Sequence, residues 1–325
     1  GVFGSVLVFF LKGDIFKVHS LSVITGKEVI RMHLLPAFDY YEPKEMSEAC
    51  KLLAQLSPGG KIIAGGTDLI VNMKKGLVKP HAVISFARVP GLADVEPRDS
   101  GIAIGSHIII EKLTEFDIIK KKYSLLAKAA AVLGSPLVRN RATIGGNLVT
   151  ARPAADMPPP LLAMGAKVVL KSEKREREVS LDDFFKGPGE TVIGPDEILT
   201  GILVEEAPPF TGDDYIKLMH RRSLEIAIVA VASRVTLDKP DGAVKSAGII
   251  MSAVAPKVIH AKRAEEMLRG NKPTEELVAR AAREASEECT PIDDIRGGAG
   301  YRRAMVEQLT KRTLTNALAA AKEKK

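Results

Sequence analysis

Two hydrophobic periods alternate along the chain, and each change of period marks an element. "FDYYEPKEMSEACKLLAQL" (38–56) predicts a short strand, a break at Pro43, and a helix with Met46, Ala49, Cys50, Leu53 and Leu56 on one face. "GGKIIAGG" (59–66) predicts a turn and a short buried strand, "TDLIVNMKKG" (67–76) a helix capped by Thr67 or Asp68 and ended by Gly76, and "HAVISFARV" (81–89) another strand. Together these make a small β-α-β-α-β unit that closes near Pro90. The next block predicts a strand pair in "GIAIGSHIII" (101–110) and two helical pieces in "LTEFDIIKKKYSLLAKAAAVLG" (113–134). Alternating strands follow in "PPPLLAMGAKVVLKS", "REREVSLDDFF" and "EILTGILVEE", the mark of a mixed or antiparallel sheet carrying helices. "EEAPPFTGDD" (205–214) is proline-rich and polar, a candidate linker. Beyond it, two β-rich runs flank the turn "KPDG" (239–242), and three helical patterns close the chain. In the last of them Met305, Leu309, Leu314 and Leu318 line one side. This C-terminal block reads as a three-stranded sheet packed on helices.

Composition narrows the function classes. With 46% hydrophobic and 27% charged residues in 325, the chain is an ordinary globular protein of two or three modest domains. The net charge of +7 raises the question of nucleic acid, but the basic residues are interleaved with acids, Trp is absent and aromatics are only 5%. Stacking platforms are therefore scarce, and no nucleic-acid partner is expected. A polyanionic cofactor or an acidic partner subunit accounts for the excess charge equally well. The two cysteines, Cys50 and Cys289, cannot by themselves hold an iron–sulfur cluster or zinc ribbon. They fit a reducing, cytoplasmic setting as small buried residues. Val6 to Leu11 is too short an apolar run to cross a bilayer, and no span is expected elsewhere. Because position 1 is not Met and Met32 precedes the first domain, residues 1–31 are expected to be an appended, strand-forming segment or an artefact of where the reading frame was begun.

The candidate chemistry lies in two glycine loops. "KIIAGGTDLIVNMKK" (61–75) ends a buried strand in bare backbone and opens a helix, and "RNRATIGGNLVTARPAAD" (139–156) repeats the arrangement. A tight turn alone explains one such instance. Two of them, the first running directly into a helix, suit close approach of a diphosphate to main-chain amides. Thr143 and Asn147 add side-chain donors, and Asp156 adds a fixed acceptor for a hydroxyl or ring N–H. The pattern describes a long ligand with phosphates at one end. No G-x-G-x-x-G, P-loop, HExxH, nucleophile elbow or EF-hand loop is present, and the six histidines are scattered. No catalytic residue and no metal ligand is therefore assigned.

"AGGTDLIVNMKKG", "RNRATIGGNLVTARPAADMPPPLLAMGAKVVL", "YIKLMHRRSLEIAIVAVA" and the C-terminal "YRR" resemble, in order and spacing, the FAD-binding medium subunit of the molybdenum hydroxylases, the xanthine dehydrogenase and aerobic carbon monoxide dehydrogenase group. The resemblance covers about residues 33–320. It implies an α+β fold: a two-subdomain FAD-binding domain of the vanillyl-alcohol-oxidase/PCMH type (32–90 and 91–208), then a small α+β C-terminal domain (212–325). It places Ala64, Gly65, Gly66, Thr67 and Asp68, with Leu69 opening the helix, on the first flavin loop, which holds the diphosphate of FAD. The repulsion between a carboxylate and a diphosphate assigns Asp68 to helix capping and leaves the ligand contact to Thr67. Thr143, Ile144, Gly145, Gly146 and Asn147 fall on the second loop, Asp156 on an acid of the ribityl or ring region, and Lys217 on a lysine that approaches the flavin ring. A cation there would stabilise reduced flavin and raise its potential.

The sequence departs from that pattern at Glu225, where the family commonly has Asp, and at Arg152, where a small or acidic residue is expected. No Cys lies between Asn147 and Asp156, so no extra cluster is expected, and no His is placed for covalent flavin attachment. The resemblance implies noncovalent FAD and a heterotrimer with a [2Fe–2S] small subunit and a molybdopterin large subunit. Electrons would leave to an acceptor such as NAD or a quinone. A stand-alone flavoenzyme of the same fold is the alternative, and a binding module for another nucleotide is a third.

Overall fold

The computed structural model describes residues 35–221 and 223–323 and, before them, the backbone of four short strands, Phe9–Lys12, Ile15–Val18, Val23–Thr25 and Glu28–Ile30. The expectation for residues 1–31 lies largely outside the described residues. Within them, Ile15–Val18 pairs antiparallel with Phe38–Tyr41 and extends the first sheet at its edge.

That sheet is built on the predicted β-α-β-α-β unit. Gly60–Ile63 and Phe38–Tyr41 both pair parallel with the central strand Ala82–Ser85, all four residues of which are buried. The helix Met46–Leu56 covers it through Ala49, Cys50 and Leu53, the stripe its 3.6-residue period foretells. The helix after the first glycine loop runs only from Leu69 to Lys74, and Gly76 ends it at φ +72°, a conformation that favours glycine.

The second sheet is wholly antiparallel, in the order Glu176–Ser180, Lys167–Lys171, Ile198–Glu205, Gly101–Gly105, Val95–Arg98. Here the predicted strand pair in 101–110 is corrected. Only Gly101–Gly105 is extended; its hairpin partner is Val95–Arg98, and Ile110–Leu113 is a helical turn. The apolar residues 108–110 bury themselves on the helical side of this core, where Ile108 and Ile110 are inaccessible to solvent.

The proline-rich stretch 205–214 serves as a connection only in its first half. Thr211–Leu218 is a strand, and Asp213 and Asp214 are buried within it. Both are bonded across the boundary: Lys128 Nζ pairs with Asp214 at 2.7 Å, and Ser124 Oγ donates to Asp213 at 3.4 Å. The C-terminal sheet has three long strands, Thr211–Leu218, Val229–Leu237 and Val244–Ser252. A fourth, the two-residue Ile259–His260, was not anticipated by the three-stranded reading. One face packs on the helices Lys262–Leu268 and Ala299–Glu323, and Glu275–Glu288 packs on those two in turn. The other face packs on the helices Ser124–Ala131 and Pro158–Ala163, so Ala230, Ala232 and Ile250 share one core with the second sheet. Burial on both faces explains why "VAVASRVTL" reads as a nearly continuous apolar run. Both cysteines are buried and unpaired. Among the described residues, no helix is long and apolar enough to cross a membrane, and no group of three or more His, Cys, Asp or Glu is arranged to hold a metal ion.

Candidate functional site

The two glycine loops meet. A Cβ on Gly65 would stand 1.8 Å from the carbonyl oxygen of Arg141, so the loops touch main chain to main chain and only glycine fits at the contact. They open on one side into a cleft of about 1290 Å³, walled also by segments 188–199, 253–256 and 290–296. That volume exceeds the range of roughly 300–1,000 Å³ common for small-molecule sites, as a dinucleotide-sized ligand requires.

Ala64, Gly65, Gly66, Thr67, Asp68 and Leu69 all line this cleft. Among the described residues, no hydrogen bond engages the amide N–H of Gly65, Gly66, Thr67, Asp68 or Leu69. Five successive donors without a partner, on a loop that lines the cleft, suit an anion. Asp68 holds the N-cap position, yet neither it nor Thr67 caps the helix, which corrects the capping role given to Asp68. Its backbone is already helical, at φ −103° and ψ −49°, whereas a capping side chain reaches back over the first turn from an extended backbone. The missing cap leaves the amides free. With only six residues behind it, the helix adds little dipole, and the bare loop supplies the field.

The second loop is built differently from its reading as a set of donors. Ile144–Val149 is a helix, and the glycines form its first turn. Thr143 caps it, its Oγ1 accepting from Gly146 N at 3.1 Å, while Ile144 N donates to Ile108 O and Gly145 N to Ser106 O. The amides are thus satisfied within the chain. A Cβ at Gly145 would stand 2.6 Å from Ser106 O, so this glycine allows close packing. Thr143, Gly145, Gly146 and Asn147 line the cleft, whereas the Ile144 side chain is fully buried in the core behind it. Asn147 Oδ1 accepts from Met157 N at 3.1 Å, which fixes the side chain and leaves its NH2 group for the cleft.

Asp156 lines the cleft at 7% exposure and is held from behind. The Tyr215 hydroxyl donates to its Oδ1 at 3.1 Å, and Lys217 Nζ to its Oδ2 at 2.8 Å. Burial raises the Asp156 carboxyl above the usual carboxylate range, against the opposing pull of Lys217 and Tyr215. Burial, reinforced by Asp156, pushes the Tyr215 phenol well up, so it stays a donor. Lys217 does not line the cleft. Its side chain is 1% exposed, and Nζ also donates to Val132 O, at the end of the helix Ser124–Ala131. The structure therefore brings together every site residue expected on the two loops, with Ile144 and Lys217 set behind the wall.

Four residues, three of the wall and one behind it, escaped the sequence reading as parts of the site. Glu197 is buried and receives Arg177, Arg175 and Gly194 N, which hold its pKa at about 2. Arg302, 1% exposed, donates to the carbonyls of Ile228 and Ala253 and to Asp294, tying three segments of the wall together. His107 leaves its Nδ1 buried without a partner, and burial, with Arg141 nearby, lowers its pKa, so the ring is neutral. Tyr215 is the fourth; the alternation that puts it on the same strand face as Lys217 was its available signal. Of the two departures, Glu225 lines the rim and accepts from Arg221 at 2.7 Å, and Arg152 stands exposed beside the second loop.

Exposed apolar side chains gather at the same rim. Leu224 and Ile226 are 58% and 56% exposed, and Ile292 and Ile295 are more so. The segments that carry them are linked by a hydrogen bond between His220 Nε2 and Arg296 O.

Comparison with known proteins agrees with this layout. Residues 36–205 match the family described as the FAD binding domain in molybdopterin dehydrogenase, and residues 214–317 match the CO dehydrogenase flavoprotein C-terminal domain. The carbon monoxide dehydrogenase medium chain of Hydrogenophaga pseudoflava is 34% identical, over 87% of this chain and 98% of that one. The nicotine 6-hydroxylase medium subunit of Paenarthrobacter nicotinovorans is 31% identical, over 87% and 98%. The solved structure of carbon monoxide dehydrogenase from Hydrogenophaga pseudoflava, lacking the Mo-pyranopterin moiety, superimposes with a TM-score of 0.85, covering 88% of this chain and 99% of its counterpart.

Proposed function

The chain belongs to the family of FAD-binding medium chains of molybdopterin dehydrogenases, and from that premise we propose that it is the FAD-carrying electron-transfer subunit of a molybdenum-dependent hydroxylase or dehydrogenase complex. In this role electrons pass between the [2Fe–2S] clusters of a small partner subunit and an external acceptor such as NAD or a quinone. The molybdopterin subunit carries the substrate chemistry. The observation that carries the reading is the run of five free amides from Gly65 to Leu69, open to a cleft shared with the second loop and Asp156.

The residues present fit the cofactor. The unpartnered amides of Gly65–Leu69 would take the diphosphate, with the Thr67 hydroxyl as a further donor. Asn147 offers a fixed amide donor, and Asp156 a fixed acceptor for a hydroxyl or ring N–H. Bound FAD supplies the exchange between one-electron and two-electron transfer. The chain's own part is to hold that cofactor, keep its charged portion out of bulk water and present one edge of it at the rim. FAD is held noncovalently in this reading and should be released intact by heat or acid. The apolar rim around Leu224, Ile226, Ile292 and Ile295 supports assembly, because exposed clusters of this kind mark protein contacts.

Purified chain should be yellow, with one FAD per polypeptide by absorbance after denaturation. A colourless chain that takes up no FAD would overturn the reading. In a reconstituted complex, reduced small subunit should bleach the flavin in a single turnover. Turnover of a small molecule by the chain alone would instead favour an independent flavoenzyme.

A further inference from the structure

Two segments of the cleft wall are joined, outside the cleft, through His260. The short helix Leu181–Phe184 leads through Phe185–Gly187 into wall segment 188–199, and wall segment 253–256 leads into the strand Ile259–His260. His260 Nδ1 lies 2.8 Å from Oε1 of Glu265, in the helix Lys262–Leu268 that follows it. Its Nε2 lies 2.8 Å from Oδ1 of Asp182, across the boundary between the two segments. Glu265 is fixed in turn, because Oε1 also accepts from Ile249 N at 2.8 Å. Asp182 is held more loosely: its side chain is 50% exposed, and Ser180 Oγ donates to its other oxygen at 3.5 Å. A second tie runs alongside, from Lys257 Nζ to Phe185 O at 3.0 Å.

A neutral imidazole has one N–H and one lone pair, so it satisfies only one of two flanking carboxylates. With its proton on Nδ1, facing Glu265, the Nε2 lone pair would face a carboxylate oxygen and repel it. Only the imidazolium suits both. Among the described residues, the buried Nε2 makes no aligned hydrogen bond, so the Asp182 contact acts through charge and depends on that second proton. We propose that His260 is a proton-controlled clasp, whose imidazolium fastens the approach to wall segment 188–199 against the C-terminal domain and whose neutral form lets Asp182 go and slackens the wall. Burial pulls the imidazole pKa down and Lys262 adds to that, but Glu265 and Asp182 outweigh them, and the pKa stands above its ordinary 6.5. The clasp is independent of what the cleft holds; its effect on ligand release rests on the FAD reading.

The test uses the full chain as wild type, Asp182→Asn, His260→Gln and the double variant. Asp182 is half exposed, so its replacement should leave the fold intact. In histidine NMR titrations, the ring signal that His260→Gln removes should titrate above 6.5 in wild type and lower in Asp182→Asn. Urea unfolding of the FAD-free chain from pH 6 to 9 reads the linked stability. A folded pKa above the unfolded one gives stability that is complete below pH 6.5 or so and is lost as pH rises through the folded pKa. Relative to His260→Gln, the wild-type folding constant should fall by up to about tenfold per pH unit over that window. Asp182→Asn should weaken wild type several-fold more at pH 6 than at pH 9, and should change His260→Gln by the same factor at both. FAD should leave wild type several-fold faster at pH 9 than at pH 6, and at pH 6 it should leave Asp182→Asn faster than wild type. A His260 ring that titrates at or below 6.5, or an Asp182→Asn cost equal at pH 6 and 9, would overturn the proposal. FAD release that ignores both pH and Asp182→Asn would overturn the link from clasp to cleft wall. If ring and stability behave as expected while neither wild type nor any variant takes up FAD, the clasp stands and the cofactor reading falls.

Discussion

Gly65 and Gly146 look alike in the sequence and do different work. At Gly65 an added methyl group would collide with a backbone carbonyl 1.8 Å away, and main chain cannot step aside without prising the loops apart. Gly65→Ala should therefore weaken FAD retention at least tenfold, read from flavin content after gel filtration. At Gly146 the nearest atom is Thr143 Oγ1 at 2.9 Å, on a side chain that can turn away, and the site is helical. Losing that cap costs about 1 kcal/mol and replacing a helical glycine returns about as much, so Gly146→Ala should change stability and binding little. The sequence reading treated both pairs of glycines as amide donors. It missed the difference because Thr143 uses its hydroxyl on the amide of Gly146, a short-range contact that a Thr-x-x-Gly spacing does not advertise. A match in register gives Lys217 its position along the strand, and the fold adds its partner, Asp156, which no local signal in the sequence announces.

At the scale of elements, the wall segment 188–199 is anchored by Glu197, where the strand Ile198–Glu205 begins. Its carboxylate receives Arg177 Nη2 at 2.7 Å from the neighbouring hairpin and Gly194 N at 2.8 Å. Arg177→Met would leave that buried carboxylate short of partners. Since the arginine is itself about one-third exposed, the cost should be about 2 kcal/mol rather than the larger figure for a fully buried pair, measured by urea unfolding. The depressed pKa of Glu197, about 2 against an ordinary 4.5, sets the sign with pH. The stabilisation is complete above pH 4.5 or so and is lost as pH falls towards 2, and the variant should show a shallower acid limb. Strands and helices of this kind were legible where one period ran unbroken, as in Met46–Leu56 and Val229–Leu237. They were misread where an apolar run changed element midway. Residues 101–110 pass from strand to helix across only Ser106 and His107, and periodicity cannot separate the two in a stretch so short.

For the whole molecule, order and spacing of the motifs identified the architecture, while the rim beside the cleft could not be read from them. Leu224 and Ile295 lie seventy-one positions apart, and only the fold puts them in one shallow depression, where the His220 segment also bonds to Arg296 O. Replacing both with Asp should leave FAD content and thermal stability near wild type, since neither side chain is buried. The same change should cut recovery of partner subunits in affinity purification by severalfold. Undiminished recovery would place the contact elsewhere.

The cleft has walls from both sides of the exposed connection at residues 206–210. Anything gripped there works as a removable staple that adds to the core these lengths of polypeptide already share. Saturation a thousandfold above Kd adds about 4 kcal/mol to whatever holds them together. Cells starved of riboflavin should consequently accumulate a form that proteases nick near residues 206–210, and feeding the vitamin back should restore the intact protein without any change in its synthesis.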